Sequence, residues 1–440
     1  MNARSSLIGA ALAAVLVSGS ITACSTEDTT PSVYFLNLKP EQDAAYKQIA
    51  EEYTNKTGVE VKVVTAASGT YEQTLKAEVG KSEKPTIFQV NGPTGMHTWE
   101  AFMSDMSDTK MAKNLNKEVA PLKNEQGVTL GVPFAVEGFG IIYNEAIFEQ
   151  YAALPGAKIR SAKDIDSFEK LKAVATDMQA KKDALGIEGA FASTSLASGE
   201  DWRWQTHLAN GPMYFEFEDA KDKELVDAQF KYNKQYKDLF DLYLNNSVVE
   251  PNLAPSKNVS DSMAEFAQGK AAMIQNGNWA WSQISDVSGN VVKKEKIKFM
   301  PMYMGLPNEA EYGLNIGSEN YLTINAKASE IDQKASKDFI DWLFFSDEGK
   351  KHVTQDLGFI APFQNYTQSD TPNDPLAQQV AQGIADKNVK SIPWDFQYFP
   401  SLQFKNDFGQ DLAAYASGML SWEDVVENFK QNWEIEKAMD

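Results

Sequence analysis

The chain has 440 residues, 43% of them hydrophobic, with 41 Lys and Arg against 61 Asp and Glu for a net charge of −20. That length exceeds one ordinary core and suits two lobes, and the apolar content excludes general disorder. The acidic balance, with no long basic run, excludes a nucleic-acid partner held through its phosphates.

The N-terminus reads as an export signal. After Arg4 an apolar run, Leu7–Val17, leads into "SITAC". The run is too short for a permanent span and suits the h-region of a secretory signal. Ile21-Thr22-Ala23-Cys24 resembles the bacterial lipobox, in which cleavage frees the cysteine to receive a diacylglycerol. Cys24 is the only cysteine, and lipidation would remove an exposed thiol from an exported protein. The expectation is a signal peptide over 1–23 and a lipidated tether over 24–32, holding a monomer at the outer face of the cell membrane.

From residue 33, strand-like and helix-like segments alternate, which predicts an α/β fold with largely parallel sheets. "VYFLNL" is a strand candidate, and Tyr46, Ile49, Ala50 and Tyr53 then recur at helical spacing. Val59–Val63 alternates like a strand after Gly58, and Tyr71, Leu75 and Val79 mark the next helix before the apolar "TIFQV". "GVPFAVEGFGIIYN" at 131–144 reads as a strand pair, glycine-rich where it crosses. Two helical stripes follow, Leu171, Val174, Ala175 and Met178, then Tyr232, Tyr236, Leu239 and Tyr243, both read as core-facing. A helix is predicted over 261–273, and "IQNGNWAWSQ" after it as a loop, because Asn and Gly favour turns. Helices are predicted over 335–345, 375–386, 407–417 and 423–433.

Catalytic signatures are scarce. His97, His207 and His352 stand in no metal-binding motif, and there is no GxSxG, P-loop or GxGxxG pattern. Neither cofactor nor metal is expected. Two suitably placed carboxylates would suffice for a glycosidase, so a surface glycoside hydrolase, or a glycan-binding adhesin, is the alternative reading.

Aromatic residues gather instead in three polar, turn-flanked stretches. Trp202 and Trp204 lie in "GEDWRWQT", Trp279 and Trp281 in "NGNWAW", and Trp394, Phe396, Tyr398 and Phe399 in "IPWDFQYFP". A sugar ring offers apolar C–H faces within a rim of hydroxyls, which flat aromatic faces and planar amides or carboxylates hold well. Each ring taken singly serves core packing equally well.

From residue 33 onward the chain resembles extracellular solute-binding proteins of carbohydrate ABC transporters, in particular maltose- and maltodextrin-binding proteins. The resemblance rests on "FLNLKPEQDAAYKQIAEEYTNKTGVEVKV", "VEGFGIIYNEAIF", "GKAAMIQNGNWAW" and "LTINAKASEIDQKASKDFIDWLFFSDEGKKHV", in that order. It implies a two-lobed α/β periplasmic-binding-protein-like fold with a hinge and an interlobe cleft. Lobe one would comprise 33–140 plus 285–330, and lobe two 141–284 plus 331–440. It implies capture of an oligosaccharide, malto-oligosaccharides foremost, for delivery to permease subunits, without catalysis. By the same resemblance the ligand-binding residues are Asn37, Lys39, Gln89, Asn91, Glu137, Asp201, Trp202 and Trp279, with Trp394 and Phe396 added by their aromatic character. Trp281 is read as packing.

Overall fold

The computed structural model describes residues 30–67 and 69–438. The export signal, Cys24 and most of the expected tether lie outside the described residues.

Two six-stranded sheets organise the chain. The first begins with β1 (Ser32–Asn37), whose residues alternate between two cores: Val33 and Phe35 enter one, Tyr34 and Leu36 the other. The helix Asp43–Thr57 buries the stripe expected of it, Tyr46, Ile49, Ala50 and Tyr53. It ends where Gly58, at φ 77°, donates its N–H to the Thr54 carbonyl, a left-handed cap that favours glycine. The chain returns as β2 (Glu60–Thr65), parallel to β1, and β3 (Ile87–Asn91) joins the other side of β1. Short β4 (Leu122–Lys123) and β5 (Thr129–Pro133) complete the far edge, in the order β2-β1-β3-β11-β5-β4, with β11 at Asn320–Ile324.

The second sheet is built around β6 (Glu137–Asn144), buried along its whole length. The strand β8 (Ala271–Gly277) pairs antiparallel on one side of it, and β7 (Gly189–Phe191) lies beyond β8. On the other side β9 (Ile297–Met300) pairs with the C-terminal half of β6 and β10 (Tyr312–Gly317) with its start; β12 (Lys390–Ile392) edges β10. Phe139, Ile141 and Tyr143 face the larger core of this lobe and Ile142 the smaller.

The chain crosses between the sheets at 134–136, at 318–319 and again over 364–374. The first two crossings are tied together, since the Ser318 hydroxyl donates to the Ala135 carbonyl at 2.7 Å. Thus 131–144 is not a strand pair: β5 ends one sheet and β6 opens the other.

The later segments divide differently from the expected lobe boundaries. Within 285–330, β9 and β10 belong to the second sheet and only β11 to the first. Within 331–440, the helix Glu330–Phe345 packs Ala335, Phe339, Ile340 and Leu343 into the first-lobe core with Val33 and Phe35. Only residues 325–329 separate β11 from that helix, so its apolar stripe meets the face of the sheet that β11 has just joined. Two local expectations also change. The helix before the tryptophan pair is Val259–Ala267, and "IQNG" is the end of β8 rather than a loop, because Ile274 and its neighbours complete the ladder to β6.

The C-terminal helices Leu402–Ala416 and Trp422–Lys437 close the larger core. Trp433, fully buried, meets Phe399, Phe404 and Phe429 at ring-centroid distances of 5.2–5.6 Å and donates its indole N–H to the Leu225 carbonyl at 2.7 Å. Trp433→Ala is expected to lower the unfolding free energy by about 3–5 kcal/mol, measurable by chemical denaturation.

Candidate functional site

The tip after β1 and the start of β6 meet between the sheets. Lys39 Nζ lies 2.8 Å from Glu137 Oε1 and 4.0 Å from Glu41, with all three side chains buried. Burial opposes the Lys39 charge, but Glu137 and Glu41 outweigh it and hold the ammonium above its ordinary range. Burial dominates at Glu41 itself and raises its carboxyl despite Lys39. The Lys39 ammonium also stands 5.7 Å from the Trp279 ring centroid, within cation–π range.

Asn37 shapes this tip. Its amide donates to the Lys39 carbonyl at 2.8 Å and to the Thr65 hydroxyl at 3.2 Å, and its Oδ1 accepts from the Lys39 N–H at 3.1 Å. Both ends of the side chain are therefore spent within the protein. Gln89 in β3 accepts from the Leu38 N–H at 2.6 Å, leaving its Nε2 without a partner among the described residues. Asn91 ends β3, and its Oδ1 is likewise unpartnered.

The facing wall is aromatic. Trp279 follows β8 after Asn278 alone, and a methyl group on Gly277 would overlap its ring, so glycine there lets the indole fold back over the strand end. Gly317 at the end of β10 gives Trp394 the same room. Trp202 lies 5.9 Å from Trp279, and Trp394 meets Trp279 edge-on at 6.4 Å and Phe396 at 5.5 Å. Trp202 and Trp279 are half-buried, whereas Trp394 and Phe396 are buried. The indole N–H groups of Trp279 and Trp394 have no partner among the described residues.

Two contributors, His207 and Arg203, were not among the expected site residues. His207 stacks on Phe139 at 4.0 Å and 3°, and touches Trp202, Trp279, Trp394 and Phe396 at centroid distances of 4.8–5.8 Å. Burial, reinforced by Arg203 and Lys405, pushes its imidazole well below the ordinary range, so it is neutral at pH 7. The segment Arg203–Leu208 is a π-helix, whose i→i+5 repeat brings His207 beneath Trp202; the i+3 and i+4 spacing of an α-helix hides that relation. Arg203 lays its guanidinium 3.8 Å from the Trp202 ring centroid.

The remaining positions have structural employment. Asp201 accepts from Gln205 Nε2 at 3.0 Å and packs against Gly409, where any side chain would collide with its carboxylate. Burial raises its pKa. Trp204 is a core residue, its indole donating to the Ser195 carbonyl at 3.2 Å, and Trp281 packs against the smaller second-lobe core. The structure therefore brings Lys39, Glu137, Trp202, Trp279, Trp394 and Phe396 together, with Gln89 beside the Lys39 tip, and turns Asn37 and Asp201 to internal bonding. No three His, Cys, Asp or Glu residues among those described are grouped to hold a metal.

This arrangement defines a two-lobed α/β binding fold, with strand-end loops of both lobes facing a common seam. Residues 48–379 match bacterial extracellular solute-binding proteins, and the chain belongs to that family. It is a family of binding proteins rather than enzymes, which sets aside the hydrolase alternative. A maltotriose-binding protein from Pyrococcus abyssi is 21% identical over 374 residues, covering 80% of this chain and 71% of that protein. Among solved structures, a chitin oligosaccharide binding protein superposes with a TM-score of 0.73 at 17% identity, covering 93% of this chain and 99% of the other. The solute-binding protein RafE in complex with raffinose superposes with a TM-score of 0.69 at 17% identity, covering 93% and 100%.

The Lys39–Glu137 pair supplies a test. Lys39→Met strands a buried carboxylate and is expected to cost about 3–5 kcal/mol of stability, while Lys39→Met combined with Glu137→Gln recovers much of that loss. Denaturant unfolding of the two variants measures the difference.

Proposed function

We propose that this protein captures an oligosaccharide outside the cell and hands it to the permease subunits of an ABC transporter. The observation that carries the reading is the wall of Trp202, Trp279 and Trp394 facing Lys39, Glu137 and Gln89, with indole N–H groups and an amide still free to bond. Rings take the C–H faces of sugars, and the polar rim takes their hydroxyls. Trp279 is the central stacking platform; Lys39, Gln89, Asn91 and Glu137 bind hydroxyls. The named relatives bind maltotriose, chitin oligosaccharide and raffinose, which supports an oligosaccharide as the ligand class. Malto-oligosaccharides come first among the candidates. The lobes close on the ligand by a hinge at the crossovers, the ligand favouring the closed state through contacts with both sides.

The protein works as a monomer tethered by a lipid on Cys24 at the outer face of the membrane. Cys24→Ala is expected to leave an uncleaved precursor or to release the protein from membrane fractions. Absence of label from a palmitate analogue on the wild-type chain would refute the anchor.

For the site, Trp279→Ala is expected to remove about 1–3 kcal/mol of binding, roughly a ten- to hundredfold loss of affinity, with little change in melting temperature. Calorimetric titration across a panel of malto-, chito-, raffinose-series, xylo- and manno-oligosaccharides both identifies the sugar and reads this loss. Retention of a glycan without cleavage supports the reading; turnover, or affinity unaffected by the substitution, contradicts it.

A further inference from the structure

Behind the aromatic wall, beneath the π-helix, lies a small enclosed space. Its lining includes Ser193, Ser195, Arg203, Tyr243, Ser262 and Gln275, and its volume is about 10 Å³. That is about the room one buried water needs.

Three of the lining residues each carry a polar atom with no hydrogen-bond partner among the described residues: Arg203 Nη1, Tyr243 Oη and Gln275 Oε1. The residues are 3%, 1% and 3% exposed, so bulk water does not satisfy them. Arg203 spends its Nε on Asn276 Oδ1 at 3.2 Å and forms no ion pair with a described carboxylate. Gln275 has a settled orientation, because its Nε2 donates to the Arg203 carbonyl at 2.7 Å, which leaves Oε1 as the open acceptor. Burial raises the Tyr243 phenol well above its ordinary range, so it stays protonated.

These groups select their occupant. Whatever meets Arg203 Nη1 must accept a hydrogen bond, and whatever meets Gln275 Oε1 must donate one. A halide accepts from Arg203 and Tyr243 but is repelled by the amide oxygen. A metal ion or ammonium is repelled by the guanidinium. Water does both, and the tyrosine hydroxyl brings it to three bonds, the usual number for a buried water. We propose that this cavity is a built site for one structural water, which ties Arg203 to Gln275 and Tyr243 and so holds the guanidinium against Trp202. Arg203 in turn lays its guanidinium 3.8 Å from the Trp202 ring centroid. The site stands on these bonds alone, whatever sugar the protein binds.

The test is a crystal structure of the protein soaked in sodium bromide, at a resolution where ordered solvent is visible. A single peak within hydrogen-bond reach of Arg203 Nη1, Gln275 Oε1 and Tyr243 Oη, without anomalous signal at the bromine edge, is expected. An empty cavity, or a bromide there, overturns the assignment. In Gln275→Met, which removes the acceptor and fills the space, the peak should disappear; its persistence at the same place would also overturn it. Should that variant fail to fold, the wild-type crystal decides alone.

Discussion

The polar side of the seam is organised by one buried ion pair, Lys39 with Glu137. A lysine from the tip after the first strand of one sheet meets a carboxylate on the first residue of the central strand of the other. Desolvating both charges is costly, and the contact persists only where geometry is good and the surroundings are held still. The surroundings here meet that demand. Asn37 bonds the Lys39 backbone from both ends of its side chain, and Glu137 begins a strand paired on both sides. The pair thus joins the lobes at the point where the chain itself crosses.

The aromatic wall has local causes of its own. Glycines at the ends of β8 and β10 leave the space that Trp279 and Trp394 occupy, and the π-helix turns Trp202 and His207 toward the same centre. A neutral imidazole suits that position, because it stacks on Phe139 without bringing a charge among the rings. Wall and ion pair together offer flat apolar faces beside strong hydrogen-bonding groups, the combination on which the proposed sugar-binding role rests.

Much of this was legible in the sequence where local pattern governs. The alternation in β1, the stripe from Tyr46 to Tyr53 and the glycine stop at Gly58 each specify their element by short-range physics. Lys39, named from motif resemblance, lies within reach of both Glu137 and Trp279. What stayed hidden depends on long-range choice. The apolar stripe of Glu330–Phe345 announces a buried helix but not which sheet will bury it. "IQNG" carries turn residues yet completes a ladder, because β6 beside it overrides their local preference. His207 looked idle since its partners arrive by an i+5 repeat and from three distant stretches.

In the proposed role one ligand touches both lobes and holds them together. Small-angle X-ray scattering of the protein, with and without a saturating oligosaccharide chosen from the calorimetric panel, tests it most directly. The expected result is a smaller radius of gyration with the sugar present. An unchanged radius for a tightly bound sugar would contradict closure between the lobes.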